Sequence, residues 1–129
     1  MTAYRVEIIA VGTELLLGNV ANTDAQFLSE MLASVGVDVL YHTAVGDNPA
    51  RLREVVDIAR GRANLLVFTG GLGPTYDDMT KQIVCEAFGL GLEFHPEIVE
   101  EIRHYFDTVF RREMPACNLQ QAYLPRGCT

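Results

Sequence analysis

Basic residues are scarce in this 129-residue chain: ten Lys and Arg stand against seventeen Asp and Glu, for a formal net charge of −7. Nucleic-acid backbones are gripped by clustered Lys and Arg, so this balance argues against such a partner. It leaves room for a small phosphate ligand, which backbone N–H groups and a divalent cation can hold. Cysteine is scarce as well. Cys85, Cys117 and Cys128 form no Cys-x-x-Cys pair and no even framework, which argues against a disulfide scaffold or a zinc site and predicts free thiols. No stretch is both long and charge-free enough to span a bilayer. The opening from Met1 to Arg5 lacks the basic start and apolar centre of a secretory leader. A soluble, cytoplasmic chain is expected. Internal repeats and low-complexity tracts are missing, and the length suits one domain with a real core, spanning residues 1–129, rather than two.

Strand-like and helix-like segments alternate along the chain. Tyr4 to Val11 is rich in Val and Ile and ends at Gly12. The next segment, Thr23 to Val35, places Phe27, Leu28, Met31, Leu32 and Val35 on one helical face. Thr23 and Gln26 form a capping-box pattern at its start, and Gly36 supplies the stop. Val37 to Val45 is the second strand candidate. Asn48-Pro49 predicts an N-cap with proline at the first helical position. The helix it opens carries Leu52, Val55, Val56 and Ala59 and closes at Gly61. Leu65 to Thr69 is a short apolar run of the kind buried in a parallel sheet. Met79, Ile83, Val84, Ala87 and Phe88 recur at helical spacing up to Gly89. After a short connection, His95-Pro96 opens a fourth helix with Ile98, Ile102, Phe106 and Val109. Strand, helix, strand, helix, strand, helix predicts right-handed crossovers and a mainly parallel sheet in a three-layer α/β/α domain. The tail beyond Arg112 is less periodic and predicts no finished element.

Open parallel sheets bind ligands outside the carboxyl ends of their strands. Three segments fall there: Gly12-Thr13-Glu14, Gly46-Asp47-Asn48, and the loop from Thr69 to Thr80. The third carries Gly70, Gly71 and Gly73, then Pro74, Thr75, Tyr76, Asp77, Asp78 and Met79. Its glycines admit close backbone approach and present N–H groups to an anion, and it runs into a helix N-terminus. It lacks the Gly-Lys-Ser/Thr ending of a Walker loop and the Gly-x-Gly-x-x-Gly spacing of a dinucleotide fingerprint. A tight turn with Asp77 or Asp78 as helix cap explains one carboxylate, but not both together with three glycines. Asp47 is evenly balanced between capping the following helix and serving a site. Glu14 is favoured slightly as a loop-shaping residue. Two carboxylates from neighbouring loops, Asp47 and Asp78, suit Mg²⁺, which prefers oxygen ligands and keeps waters for phosphate. The three histidines, His42, His95 and His104, have no second ligand at metal spacing, so structural or surface roles are expected. Tyr105, Phe106 and Phe110 are expected in core and partner surfaces rather than as a base-stacking platform.

Several of these blocks resemble the CinA (competence/damage-inducible protein A) family. They are Gly12-Thr13-Glu14-Leu15-Leu16-Leu17-Gly18, Asn22-Thr23, Phe27-Leu28-Ser29, Val45-Gly46-Asp47-Asn48, Thr69 to Thr75 followed by Asp77-Asp78-Met79-Thr80, and finally Asn118, Gln121-Ala122 and Pro125. Asp78 and Thr80 also match the Asp-x-Thr of the related MoaB/Mog molybdopterin-binding proteins, and Asp47 an earlier aspartate of theirs. The resemblance implies the MoaB/Mog-like fold and a magnesium-assisted site. It assigns catalysis and metal binding to Asp47 and Asp78, and phosphate or nucleotide binding to Gly12, Thr13, Glu14, Thr69, Gly70, Gly71, Gly73, Thr75 and Thr80. The implied activity is a nucleotide pyrophosphatase hydrolysing ADP-ribose to AMP and ribose 5-phosphate. The alternatives are a molybdopterin-binding adenylyltransferase of molybdenum cofactor biosynthesis and a non-catalytic binding module. Implied partners are a small nucleotide or pterin phosphate and further copies of the chain. A later Gly-Thr-Ala-Pro-Gly loop and the deamidase domain of many relatives are missing from the sequence, which implies a domain incomplete at its C-terminus.

Overall fold

A largely apolar run near the start of the chain forms its most buried strand. In the computed structural model, which describes residues 3–129, β1 spans Val6–Val11 and every one of its residues is buried. Met1 and Thr2, the start of the stretch read above as leaderless, lie outside the described residues. The chain divides into two compact units, one reaching Gly71 and one from Leu72 to Thr129.

In the first unit, β1 lies between β2 (Val39–Val45) and β3 (Leu65–Thr69), parallel to both. The register sets Val11 beside Val45 and Ala10 beside Thr69, so all three strands end together. Helix α2 (Thr23–Ser34) follows β1, after a four-residue helix α1 (Thr13–Leu16) that periodicity did not announce, and α3 (Pro49–Arg62) follows β2. Residues alternate faces along a strand. Val6 and Ile8 pack with Ala25 of α2 and with Leu28, Leu32, Val37, Val39, Leu65 and Val67. The other face of β1 carries Glu7, which meets Arg62 at the end of α3. Helices thus cover both faces, as the α/β pattern predicts.

The details depart from the sequence reading at α2 and at the end of α3. Asn22, one residue before Thr23, caps α2, accepting the Ala25 N–H at 3.2 Å through its side chain. Only Leu28 and Leu32 of the expected stripe reach the core, joined by Ala25. Phe27, Met31 and Val35 are exposed, because the buried arc is centred on Ala25. Asn48 and Pro49 open α3 as predicted, with Asn48 Oδ1 accepting the Arg51 N–H at 3.0 Å. The same helix passes Gly61 and ends at Arg62, whose side chain is anchored on Glu7.

Glu7 is a charged residue at the centre of the sheet, and the sequence reading did not single it out. Its side chain is fully buried, yet satisfied: Arg62 donates to both of its oxygens at 2.8 and 2.7 Å, and Thr43 donates at 2.6 Å. The Arg62 guanidinium also lies 4.0 Å from the centre of the Tyr41 ring.

At the end of β3, Gly70 adopts φ 79°, and a side chain there would overlap the carbonyl oxygen of Val11. Gly70→Ala should therefore cost about 1–3 kcal/mol from the backbone conformation alone, with the overlap added. Urea unfolding would measure it, and a loss below about 0.5 kcal/mol would show that the loop relaxes freely.

In the second unit, α4 (Thr80–Ala87) leads to β4 (Leu92–Phe94), which pairs antiparallel with β5 (Tyr123–Pro125). Both short strands fall where a connection and an unfinished tail were expected. They are only three residues each, too short for a period-2 pattern, and are set by their pairing and by the Phe94–Tyr123 ring contact at 5.1 Å. Helix α5 (Pro96–Tyr105) starts at His95-Pro96 as predicted. It runs into a π-helical turn over Phe106–Phe110, which ends at Arg111 in the left-handed region. A 3₁₀ segment, Ala116–Ala122, carries the buried Asn118 and Ala122. No helix among the described residues is long and apolar enough to cross a membrane.

Candidate functional site

The shared ending of β1, β2 and β3 gathers the first two predicted loops. Thr13 and Asp47 lock them reciprocally: the Thr13 N–H donates to Asp47 Oδ2 at 3.0 Å, and the Asp47 N–H donates to Thr13 Oγ1 at 3.1 Å. The Gly12 N–H donates to the Val45 carbonyl at 2.9 Å. Because Asn48 caps α3, Asp47 is released from that duty and faces solvent from the lock. Glu14 lies so close to Gly12 that its carboxylate occupies the space a side chain there would need. A pocket of about 130 Å³ opens at this end of the sheet, lined by Val11, Glu14, Asn22, Asp24, Thr69 and Gly70 among others. Thus Gly12, Thr13, Glu14, Asp47, Thr69, Gly70 and Gly71 all lie in the first unit, at the carboxyl ends of its strands. Asn22 and Asp24 were not predicted here, although Asn22-Thr23 belongs to one of the recognised blocks.

Gly73, Thr75, Asp78 and Thr80 lie in the second unit. Here the Asp78 carboxylate closes its own loop. Its Oδ2 accepts the Thr75 N–H at 2.8 Å and the Thr75 hydroxyl at 2.6 Å, and the Gly73 N–H is a further donor. The Asp78 N–H donates back to the Thr75 carbonyl at 3.1 Å. A side chain at Gly73 would sit 2.6 Å from Asp78 Oδ2, so glycine is required there for space. The Thr75 hydroxyl bond above all holds the pKa of Asp78 below the usual carboxylate range, outweighing the opposing effect of partial burial. The N-cap of α4 is Met79, which makes no side-chain cap bond. Neither Asp77 nor Asp78 is spent on capping. Thr80, the first residue of α4, is buried.

This loop is tied to the 3₁₀ segment. Gln120 Nε2 donates to the Asp78 carbonyl at 3.2 Å, and Lys81 Nζ donates to the Gln120 carbonyl at 2.8 Å. Neither Gln120 nor Lys81 was singled out from the sequence, though Lys81 is the only lysine in the chain. Elsewhere in this unit, Tyr105, Phe106 and Phe110 line a hollow of about 410 Å³ with Ile102, Asn118 and Gln121. The rings contact one another at 5.1 and 5.3 Å between centres. Cys85 is a buried free thiol, and Cys117 and Cys128 are exposed free thiols, as the count implied. His42 Nε2 lies 2.8 Å from the Ser29 hydroxyl, which itself donates to the Ala25 carbonyl, so the imidazole donates and the pair pegs α2 to β2.

A divalent cation requires anionic oxygens that are not already neutralised. Among the described residues, neither Asp47 nor Asp78 belongs to an ion pair. A carboxylate offers about four lone-pair sites, and the donors to Asp78 leave part of that capacity open. Each side chain, taken within its own unit, thus keeps anionic oxygen capacity of the kind a divalent cation uses. Among the described residues, no group of three or more His, Cys, Asp or Glu gathers into a cage.

Comparison with known proteins bears on the family and the fold. Residues 7–127 match the family described as "Probable molybdopterin binding domain". The chain is 53% identical over 121 residues to the "Putative competence-damage inducible protein" of Caldicellulosiruptor saccharolyticus, covering 94% of this chain and 29% of that one. It thus spans under a third of that relative's length. The crystal structure of CinA from Thermoplasma acidophilum matches with a TM-score of 0.85 at 28% identity, over 98% of this chain and 73% of that one. The molybdopterin biosynthesis enzyme MoaB of Thermus thermophilus shares the fold, with a TM-score of 0.63 at 23% identity, over 95% of this chain and 79% of that one. The matched span, the strand-end loops and the parallel sheet agree: the chain belongs to the molybdopterin-binding domain family, has the MoaB/Mog-like α/β fold, and is similar within that family to the CinA-type competence-damage inducible proteins.

Proposed function

We propose that this domain cleaves a nucleotide phosphoanhydride with the help of a divalent cation, and that ADP-ribose, split to AMP and ribose 5-phosphate, is its substrate. The observation that supports this most directly is the Asp78 loop. A carboxylate kept ionised by the Thr75 and Gly73 donors, with no cationic partner among the described residues, is a ready ligand for magnesium. Asp78 is the residue that would hold the ion, which when bound offsets negative charge on the phosphate oxygens, and the family resemblance assigns the same role to Asp47. Thr13 orients Asp47 and Thr75 orients Asp78 through the hydrogen bonds described. Backbone N–H groups of Gly70 and Gly71 are assigned to phosphate oxygens, Gly73 to holding the Asp78 carboxylate through its N–H, and Thr80 to support of the Asp78 loop. Glu14 and Thr69, which line the pocket at the strand ends, contact the nucleotide. We also assign the domain to the cytoplasm and to a homo-oligomer.

The test is a product assay paired with calorimetry, offering ADP-ribose and Mg²⁺ to the chain. AMP release that stops on chelation supports the proposal. Binding without AMP release makes this a ligand-holding module. The MoaB/Mog-like fold favours one other reading, in which a pterin phosphate attacks the anhydride in place of water. Turnover of molybdopterin with ATP, and none of ADP-ribose, would replace the hydrolase with an adenylyltransferase.

A further inference from the structure

We propose that Lys81 is the cationic contact of this site, donating through its ammonium to a phosphate oxygen of the anhydride; this rests on the phosphoanhydride function proposed above. In a chain with a net charge of −7, lysine occurs once, and it occurs directly after the Asp78-Met79-Thr80 loop. Four residues of the second unit form one connected set. Thr75 holds the Asp78 carboxylate, the Asp78 carbonyl accepts from Gln120 Nε2 at 3.2 Å, and the Gln120 carbonyl accepts from Lys81 Nζ at 2.8 Å. The amine is thereby fastened to the segment that fastens the loop.

One hydrogen bond to a neutral carbonyl leaves two of three ammonium donors available. Lys81 is half-buried, and among the described residues it forms no ion pair, although acidic residues outnumber basic ones seventeen to ten. It also stands in the first turn of α4, which contains no acidic residue and where the helix dipole already disfavours a cation. Helix electrostatics alone would select a carboxylate or a neutral residue here. An anionic ligand removes both penalties, and burial, which lowers the pKa of this amine, shows that its charge is short of solvation. A tether to the Gln120 carbonyl needs a donor but does not need a charge.

Having one lysine makes the test site-specific. The chain is acylated under limiting reagent, and the Lys81 peptide is followed by mass spectrometry with inorganic pyrophosphate, ADP-ribose with Mg²⁺, or adenosine present. The α-amino group of Met1 serves as internal control. The expected result is Lys81 labelling slowed at least about tenfold by pyrophosphate and by ADP-ribose, unchanged by adenosine, with the control amine unaffected. Lys81→Gln should weaken pyrophosphate binding by about tenfold or more, and Lys81→Arg should retain most of it. Calorimetric binding of either anion with Lys81 labelling unchanged would overturn the assignment. So would a Lys81→Gln chain of lower melting temperature but native affinity, which would mark a structural tie. Pyrophosphate protection in a chain that releases no AMP from ADP-ribose leaves Lys81 in place and removes the hydrolase. Absence of binding to both anions overturns the two together.

Discussion

Asp78→Asn is expected to abolish cation-dependent AMP release from ADP-ribose while leaving the fold intact. The two halves of that expectation come from different properties of one side chain. Asparagine retains an oxygen that can accept the Thr75 N–H and hydroxyl, now at 2.8 and 2.6 Å from Asp78 Oδ2, so the turn from Thr75 to Asp78 can keep its shape. The negative charge is lost. A neutral amide is a far poorer ligand for a hard divalent cation, and charge stabilisation of this kind is worth about a thousandfold in turnover or more. The measurement is chromatographic AMP release at saturating Mg²⁺, with the melting temperature of both proteins recorded beside it. A melting temperature within ~2 °C of the parent, corresponding to well under 1 kcal/mol, would confirm that the turn survives. Turnover equal to that of the parent would remove Asp78 from the mechanism. Loss of turnover together with unfolding would instead mark Asp78 as a structural carboxylate.

Glu7→Gln is expected to lower stability by about 1–3 kcal/mol near neutral pH, through the weakening of charge-assisted hydrogen bonds in a buried setting. The side-chain bonds from Arg62 lower the Glu7 pKa beneath its usual 4.5 despite the burial that opposes them, with Thr43 adding to the effect. The folded state thus binds that proton less readily than the unfolded chain. The stabilisation is fully present above the unfolded value and is lost as pH falls through the folded one, so the difference between parent and variant should shrink in acid below 4.5. Denaturant unfolding from neutral pH down into that acid range would read this directly. A constant difference across that range would show that charge is not what the pair contributes. Replacing both partners, as Glu7→Leu with Arg62→Met, should recover much of the loss, because removing a buried pair entirely avoids leaving one charge without its counterpart.

How much of this was legible beforehand depends on the range of the interactions involved. The β1, β3 and α3 segments were readable because they announce themselves locally. Val6 to Val11 is a largely apolar run broken only by Glu7, Leu65–Thr69 is another such run, and Asn48-Pro49 is a cap followed by a residue pre-set for the first helical turn. The capping of α2 was misplaced by one position because Asn22 and Thr23 are both competent, and only the backbone decides which one accepts from Ala25. The apolar face of the same helix misled, since Phe27 and Met31 are apolar yet exposed while the small Ala25 is buried. The strands β4 and β5 were missed because neither exists without the other, and α5, the π-helical turn and the 3₁₀ segment all run between them.

By itself the sequence determined the alternation of strand and helix, the family, and the three loops where polar and glycine residues collect, because each depends on neighbours along the chain or on short recognisable blocks. Tertiary structure decided what those residues do. It freed Asp47 from capping and locked it to Thr13, turned Asp78 onto Thr75, buried Glu7 against Arg62, and tied Lys81 to Gln120, partners that stand 34, 3, 55 and 39 positions apart. Three of the four partnerships are distant in sequence, and the fourth depends on a turn whose shape the glycines permit without dictating. A side chain's role follows from what it meets in space, and that is settled only when the chain has closed on itself.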